Sequence, residues 1–326
     1  MSAKKKLNGP KSLADSRESS ALVVADAKVL EFAGSMVKAR LDSVRRCLKN
    51  VERKWKREPK HIHQLRVATR RAQTVLQACA EYLPEEQVHW MQRRLKKLRR
   101  SANTARNLDV LKERFRKDLL DHKCNRAERH KFVSFLDEQR RTAQVGLASF
   151  IDERSRLRFK QRTQQLVDGA KGKDGEGTRF RELANRQLRC LVDDFFGLIR
   201  SGLTDIESAH RLRIAGKRIR YALEMFTFVY PASEWRSTYQ AFCELQKQFG
   251  EVNDHATAIE TLGRFRKSAD KGLQNILDQQ IKAERRLLRR RFLALQESWA
   301  DLAWSELAER FERLFASETG ASITSA

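Results

Sequence analysis

Histidine, arginine and a further cation follow one another as His63, Arg66 and Arg70, and again as His210, Arg213 and Lys217. The spacing i, i+3, i+7 brings the three side chains to one side of an α-helix, within roughly one sixth of a turn of each other. Groups of these types share one chemistry, the holding of phosphate. A guanidinium offers a planar fork to two oxygens, an ammonium a point charge, and an imidazole a donor that gains charge beside an anion. A row of them suits successive phosphates along a linear polymer.

The two rows belong to a longer repetition. His63-Gln-Leu-Arg-Val-Ala-Thr-Arg-Arg71 returns as His210-Arg-Leu-Arg-Ile-Ala-Gly-Lys-Arg218, and the same offset of 147 residues carries Leu76 to Leu223, Pro84 to Pro231, Leu98 to Leu245 and Arg106 to Asn253. An ungapped match of that length is an internal duplication of a supersecondary unit. On a helical projection His63, Arg66, Arg70 and Gln73 share one side, with Leu65, Ala68, Ala72, Leu76 and Cys79 opposite. In the second copy His210, Arg213, Lys217 and Arg220 oppose Leu212, Ala215, Ile219, Leu223 and Phe226. One side is fit to pack, and the other stays charged. Like charges at i, i+3 and i+4 cost a few tenths of a kcal/mol per pair, which an anionic ligand would offset. The ordinary fate of such a face is solvation or pairing with carboxylates. Acidic residues are scarce at the matching positions, and Glu224 is the only one within the second row.

Composition points the same way. Lys and Arg number 67 against 42 Asp and Glu, a net charge of +25 over 326 residues. Surplus of that size disfavours compaction and fits an anionic partner: nucleic acid, an anionic surface or an inorganic phosphate polymer. The five cysteines, Cys47, Cys79, Cys124, Cys190 and Cys243, are scattered without C-x-x-C spacing and are expected as buried thiols in a reducing compartment. Leu7 to Ser20 supply no apolar core for a secretory signal, and no window approaches the length of a membrane span. A cytoplasmic location follows as the expectation.

Along the chain, residues 1–20 are polar and read as a flexible arm, and 317–326 as a flexible tail. Residues 21–167 and 179–316 carry apolar residues three and four apart, as in Leu41, Val44 and Leu48, and each half is expected to form a helical bundle. Between them Asp168 to Thr178 holds four of the chain's 14 glycines and reads as a linker. Helix breaks are expected at Glu58-Pro59, Leu83-Pro84, 101–107, 122–125, near Gly202, at Tyr230-Pro231 and at 250–254. Asn107, Asp109, Asn253 and Asp254 would then cap helix starts. The fold class is all-α, with two pseudo-symmetric bundles around a basic cleft or pore.

The paired segments His63-x-x-Arg66-x-x-x-Arg70-Arg71 and His210-x-x-Arg213-x-x-x-Lys217-Arg218-x-Arg220-Tyr221-x-x-Glu224 resemble the CHAD domain, a histidine-containing α-helical family. Ala105-Arg106-Asn107-Leu108-Asp109-Val110 is similar to that family's Arg-Asp-x-Asp-Val stretch, and Leu245 to Asp254 to its second copy. The likeness spans about residues 20–315. It implies a pair of four-helix bundles related by a pseudo-two-fold axis, whose basic residues face a shared cleft or pore holding inorganic polyphosphate. It also implies association with polyphosphate granules, and a stand-alone domain without the CYTH triphosphate-tunnel partner. Carried over by position, the phosphate contacts are His63, Arg66, Arg70, Arg71, His210, Arg213, Lys217 and Arg218, with Arg220 and Tyr221 from the second copy alone. Arg99, Arg106 and Lys247 would complete the wall. Departures from the family pattern are Asn107 in place of Asp, and Gln73 and Thr74 where the second copy has Arg220 and Tyr221. Asp109, Asp254 and Glu224 are expected to hold arginines rather than touch an anion.

Catalytic signatures are missing: there is no P-loop, no His-Glu-x-x-His, no nucleophile elbow and no dinucleotide fingerprint. His61-x-His63 is a poor metal pair, since i and i+2 diverge on a helix. The expectation is a non-enzymatic binder without cofactor or metal, with other granule proteins as further partners. Two alternatives stand beside it. A nucleic-acid-binding helical protein would interleave aromatics with arginine for base stacking, and Trp55, Trp90, Trp235 and the tyrosines other than Tyr221 are expected away from the basic rows. A scaffold would use the same faces to recruit acidic proteins.

Overall fold

Apolar side chains at intervals of three and four residues build every helix of the protein. The computed structural model describes residues 28–54, 60–121, 126–170, 178–299 and 301–316. Ten α-helices lie among them. The first half carries α1 (Val29–Lys54), α2 (Lys60–Ala78), α3 (Glu85–Asp121), α4 (Arg126–Ile151) and α5 (Glu153–Asp168). The second half carries α6 (Phe180–Arg200), α7 (Ile206–Met225), α8 (Ala232–Arg266), α9 (Lys271–Ser298) and α10 (Asp301–Ala316). The all-α class stands. Each half has five helices where four were expected; in the first half the fourth segment is broken at Asp152, whose carboxylate accepts from the Ser155 N–H at 2.9 Å and starts α5. Shifting any first-half helix by 147 residues lands both of its ends within four residues of a second-half helix.

α3 and α8 run unbroken through 101–107 and 250–254, against the expected breaks. The apolar period passes straight through both stretches. Leu98, Ala102, Ala105, Leu108 and Leu111 continue it in α3, and Leu245, Phe249, Val252, Ala258 and Leu262 in α8, all buried. Asn107, Asp109, Asn253 and Asp254 therefore sit mid-helix and cap nothing. Asp109 instead binds Arg140 of α4, and Asn253 faces His210 at 3.1 Å. With 37 and 35 residues, α3 and α8 are each more than 50 Å long, at about 1.5 Å per residue.

That length carries the chain out of one core and into another. The larger cluster takes Val37, Leu41 and Val44 of α1, Leu65 and Leu76 of α2, Phe195 of α6, Leu212 and Leu223 of α7, Phe242 of α8 and Phe311 of α10. A smaller cluster joins Leu108, Leu111 and Phe115 to Phe132 and Leu136, and these to Leu262, Leu273 and Leu277. Both cores draw on both halves of the chain. The arm, the tail, the breaks at 58–59 and 122–125, Cys124, Trp55 and most of the Gly-rich segment lie outside the described residues. Of the other cysteines Cys79 is buried and Cys47 and Cys243 partly so, but Cys190 is exposed, against expectation. No helix is long and apolar enough to cross a membrane among the described residues.

Candidate functional site

α2 and α7 carry the repeated rows and pack side by side. The start of α7 is fixed by Asp205, whose carboxylate accepts from the Ser208 N–H at 2.7 Å while the Ser208 hydroxyl accepts from the Asp205 N–H at 3.0 Å. That cap sets the phase of His210, Arg213 and Lys217. The opposite faces are buried as the projection requires: Leu65, Ala72 and Leu76 in α2 with Cys79 just past its end, and Leu212, Ile219 and Leu223 in α7.

Gly216 lets α8 approach α7. A β-carbon there would stand 2.1 Å from the Gln246 amide nitrogen and 3.3 Å from the Phe242 ring. Gly216→Ala is expected to destabilise the protein by about 1–3 kcal/mol through overpacking, although alanine is the better helix former. A lower midpoint in urea at unchanged slope would show it, and an unchanged midpoint would refute it.

Between the halves lies a cavity of about 3110 Å³. His63, Arg66, Arg70 and Arg71 of α2 reach it, as do His210, Arg213, Lys217, Arg218, Arg220 and Tyr221 of α7. Arg99 and Arg106 of α3 and Lys247 of α8 complete the sequence-derived set, so all thirteen line one cavity. Among the described residues sixteen Lys and Arg side chains line the cavity against three acids, Glu224, Glu244 and Asp254. The two rows cross-link directly. An Arg70 N–H donates to the Tyr221 hydroxyl at 3.4 Å, and the Arg71 Nε–H to Glu224 at 2.7 Å. Glu224 also accepts from the Tyr239 hydroxyl at 3.0 Å.

The basic wall divides into paired and unpaired charges. Arg71 and Arg220 are tied to Glu224, Arg218 stands 4.0 Å from Asp194, and Lys247 stands 3.4 Å from Glu244. Arg66, Arg70, Arg99, Arg106, Arg213 and Lys217 form no ion pair among the described residues. Arg66 and Arg213, equivalent across the repeat, each keep a buried Nε–H with no partner.

Titration reflects this crowding. Burial, with Arg70 and Arg106 beside it, lowers Arg66 to about 10. Burial, with Arg70 nearby and Asp254 opposing, lowers Arg213 to about 10. Lys217 falls furthest, to about 6, through burial and then Arg213, Arg70, Arg66 and Arg220. His63 is lowered by desolvation and by Arg106, Arg66, Arg70 and Arg220, so it is neutral at neutral pH. Arg220 moves the other way from these cations and rises, its burial outweighed by Tyr221 and Glu224.

Sequence reasoning missed Arg40, Arg93, Lys96, Arg114, Arg181 and Arg236, which also line the cavity. Their counterparts 147 residues away are Gln187, Gln240, Cys243, Thr261, Gly34 and His89. The duplication, the signal that located the rest, is blind to them. Aromatic side chains were also misplaced: Trp235, Tyr230 and Tyr239 reach the cavity. The rings of Trp235 and Tyr239 stack on each other at 4.7 Å, and the Trp235 indole N–H donates to the Leu223 carbonyl at 2.9 Å. Those two faces are occupied within the fold. His61 is buried beside Gln64, apart from His63 on the cavity.

Two solved structures share this architecture. The CHAD domain from the plant Ricinus communis is 21% identical, matches with a TM-score of 0.62, and the alignment covers 90% of this chain and 93% of that one. PptA from Streptomyces chartreusis is 14% identical with a TM-score of 0.61, over 86% of this chain and 100% of that one. No curated protein matches the chain significantly. The profile of the CHAD domain matches residues 38–263, which take in α2, α3, α7 and most of α8, the four helices that carry the thirteen sequence-derived residues. The chain therefore belongs to the CHAD domain family.

Proposed function

We propose that the protein binds inorganic polyphosphate in the cavity between its two halves, without catalysing a reaction, and is thereby recruited to polyphosphate granules. The observation that carries this reading is the set of six basic side chains from both repeats that line one cavity without an ion pair among the described residues, with the orphaned Nε–H groups of Arg66 and Arg213 among them. Buried donors without partners are costly, and charge-assisted bonds to phosphate oxygens would satisfy them. His63, His210 and Tyr221 would add hydrogen bonds, while Glu224 steadies Arg71 and Arg220. Polyphosphate has no bases, so it asks for no free aromatic face.

Binding through six cations should release counterions steeply, with a log–log salt slope of about −4 or beyond. Filter binding at moderate salt, with single-stranded RNA of equal charge as competitor, tests the choice of polymer. Polyphosphate is expected to win clearly, and equal competition by RNA would transfer the cavity to the nucleic-acid reading. In cells, foci of the tagged protein should disappear when polyphosphate synthesis is removed. Pulldown of acidic proteins unchanged by polyphosphatase would favour the scaffold reading instead.

A further inference from the structure

Outside the cavity, exposed positive charge is concentrated on α9. Lys282, Arg285, Arg286, Arg289 and Arg290 are all exposed, and helical geometry places them on one side of α9 over about 12 Å. The side that α9 buries, through Leu273, Leu277, Ile281 and Glu284, points the opposite way. None of the five lines the cavity. None forms an ion pair among the described residues, whereas nearby Arg266 and Arg291 are held by Asp278 and Glu251 at 2.5 and 3.4 Å. Arg285 acts on Asp278 through space, but that carboxylate already accepts two bonds from Arg266.

Packing does not call for this charge. The positions 147 residues earlier on α4 are Phe135, Glu138, Gln139, Thr142 and Ala143, and α4 fills the equivalent place in the fold without a basic side. Five like charges at i, i+3 and i+4 repel. The cost recurs here as it does in the cavity, and a polyanion removes it in the same way.

We propose that this outer side of α9 is a second contact for inorganic polyphosphate, making the protein bivalent so that it cross-links long chains into a condensed phase. The inference rests on the cavity reading above, which supplies the first contact. The stripe points away from α8, whose other side lines the cavity, so a short chain held inside does not reach it. A long chain can leave the cavity of one molecule and lie along α9 of another, and valency of that kind converts weak outer contacts into assembly. No aromatic ring belongs to the stripe, which favours a phosphate polymer over RNA.

The test compares the full-length protein with a variant carrying Lys282→Gln, Arg285→Gln, Arg286→Gln, Arg289→Gln and Arg290→Gln, all at exposed positions. Calorimetry with short polyphosphate reports the cavity, and light scattering with long-chain polyphosphate reports cross-linking. The variant should hold short chains within about twofold of the parent, yet scatter at least about tenfold less with long chains at low salt. Scattering equal to the parent's overturns the proposal. It is also overturned if single-stranded RNA of equal charge gives the same scattering with the same loss in the variant, which would make the stripe a nucleic-acid contact. If the parent fails to bind short chains, the cavity reading falls and the bivalent arrangement with it, whereas short-chain binding with variant-insensitive scattering overturns the stripe alone.

Discussion

Arg66→Glu combined with Arg213→Glu is expected to weaken binding of short polyphosphate by about a thousandfold or more while leaving the melting temperature unlowered. Each substitution removes a charge-assisted contact, typically about 1.5–3 kcal/mol, and adds repulsion in its place. Stability follows a different account. The two guanidiniums are half-buried, lie close enough to repel each other, and carry the partnerless Nε–H groups. Glutamates set among Arg70, Arg106 and Lys217 would meet cations in place of like charge. Calorimetric titration and circular-dichroism melting read the two effects separately. The matched control is Arg264→Glu with Arg313→Glu, equal in charge change but exposed and outside the cavity, each beside one glutamate of its own helix. It should cost less than about threefold, since distant exposed charges act through screened potential only. Comparable losses in both variants would reduce the cavity to general electrostatics. A collapse of helicity in the first would return Arg66 and Arg213 to a structural role.

How much of this was legible in the sequence depends on what a one-dimensional pattern carries. The repeat disclosed two equivalent helices, and the apolar spacing fixed which face of each is buried, so the rows on α2 and α7 could be found and aimed. It did not disclose that α2 and α7 pack against each other, since nothing in either row names its neighbour. Polar stretches such as Ser101 to Asn107 read as breaks because Asn and Asp compete with helix hydrogen bonding in isolation. The alanines at 102 and 105 kept the stripe continuous, and tertiary burial decided the outcome. The charges on Arg40, Arg93 and Lys96 were invisible for a plainer reason: only one half carries them. Pairing was invisible as well. Arg71 and Arg70 are neighbours in the chain, yet Glu224 holds the first, and the second has no carboxylate among the described residues.

Lys217 should give the cavity a measurable proton count. In the free protein its pKa is held near 6 by burial and by Arg213, Arg70, Arg66 and Arg220, against an ordinary value of 10.5. At pH 8 the ammonium is therefore largely deprotonated, and a polyphosphate chain beside it would restore the charge. Binding at pH 8 is then expected to take up about one proton, seen as a dependence of the calorimetric enthalpy on buffer ionisation heat. Affinity should rise as pH falls from 8 toward 6, and the share of that rise owed to Lys217 ends below 6, where Lys217 is already charged without ligand and the neutral His63 is left to gain charge. Lys217→Met removes the proton uptake and flattens that profile. The same substitution bears on stability with a definite sign. Between pH 6 and 10.5 the unfolded chain binds one more proton at this residue than the folded chain, so the site's contribution becomes more favourable to folding as pH rises through that window. At pH 7 the parent still carries the penalty of losing that proton on folding. Lys217→Met should be more stable there by about 2 kcal/mol after allowance for solvent screening, with the gain shrinking toward pH 10. A variant both tighter in binding and lower in melting temperature would contradict the assignment on both counts, because a buried, repelled ammonium is stabilised by its ligand and by nothing else at hand.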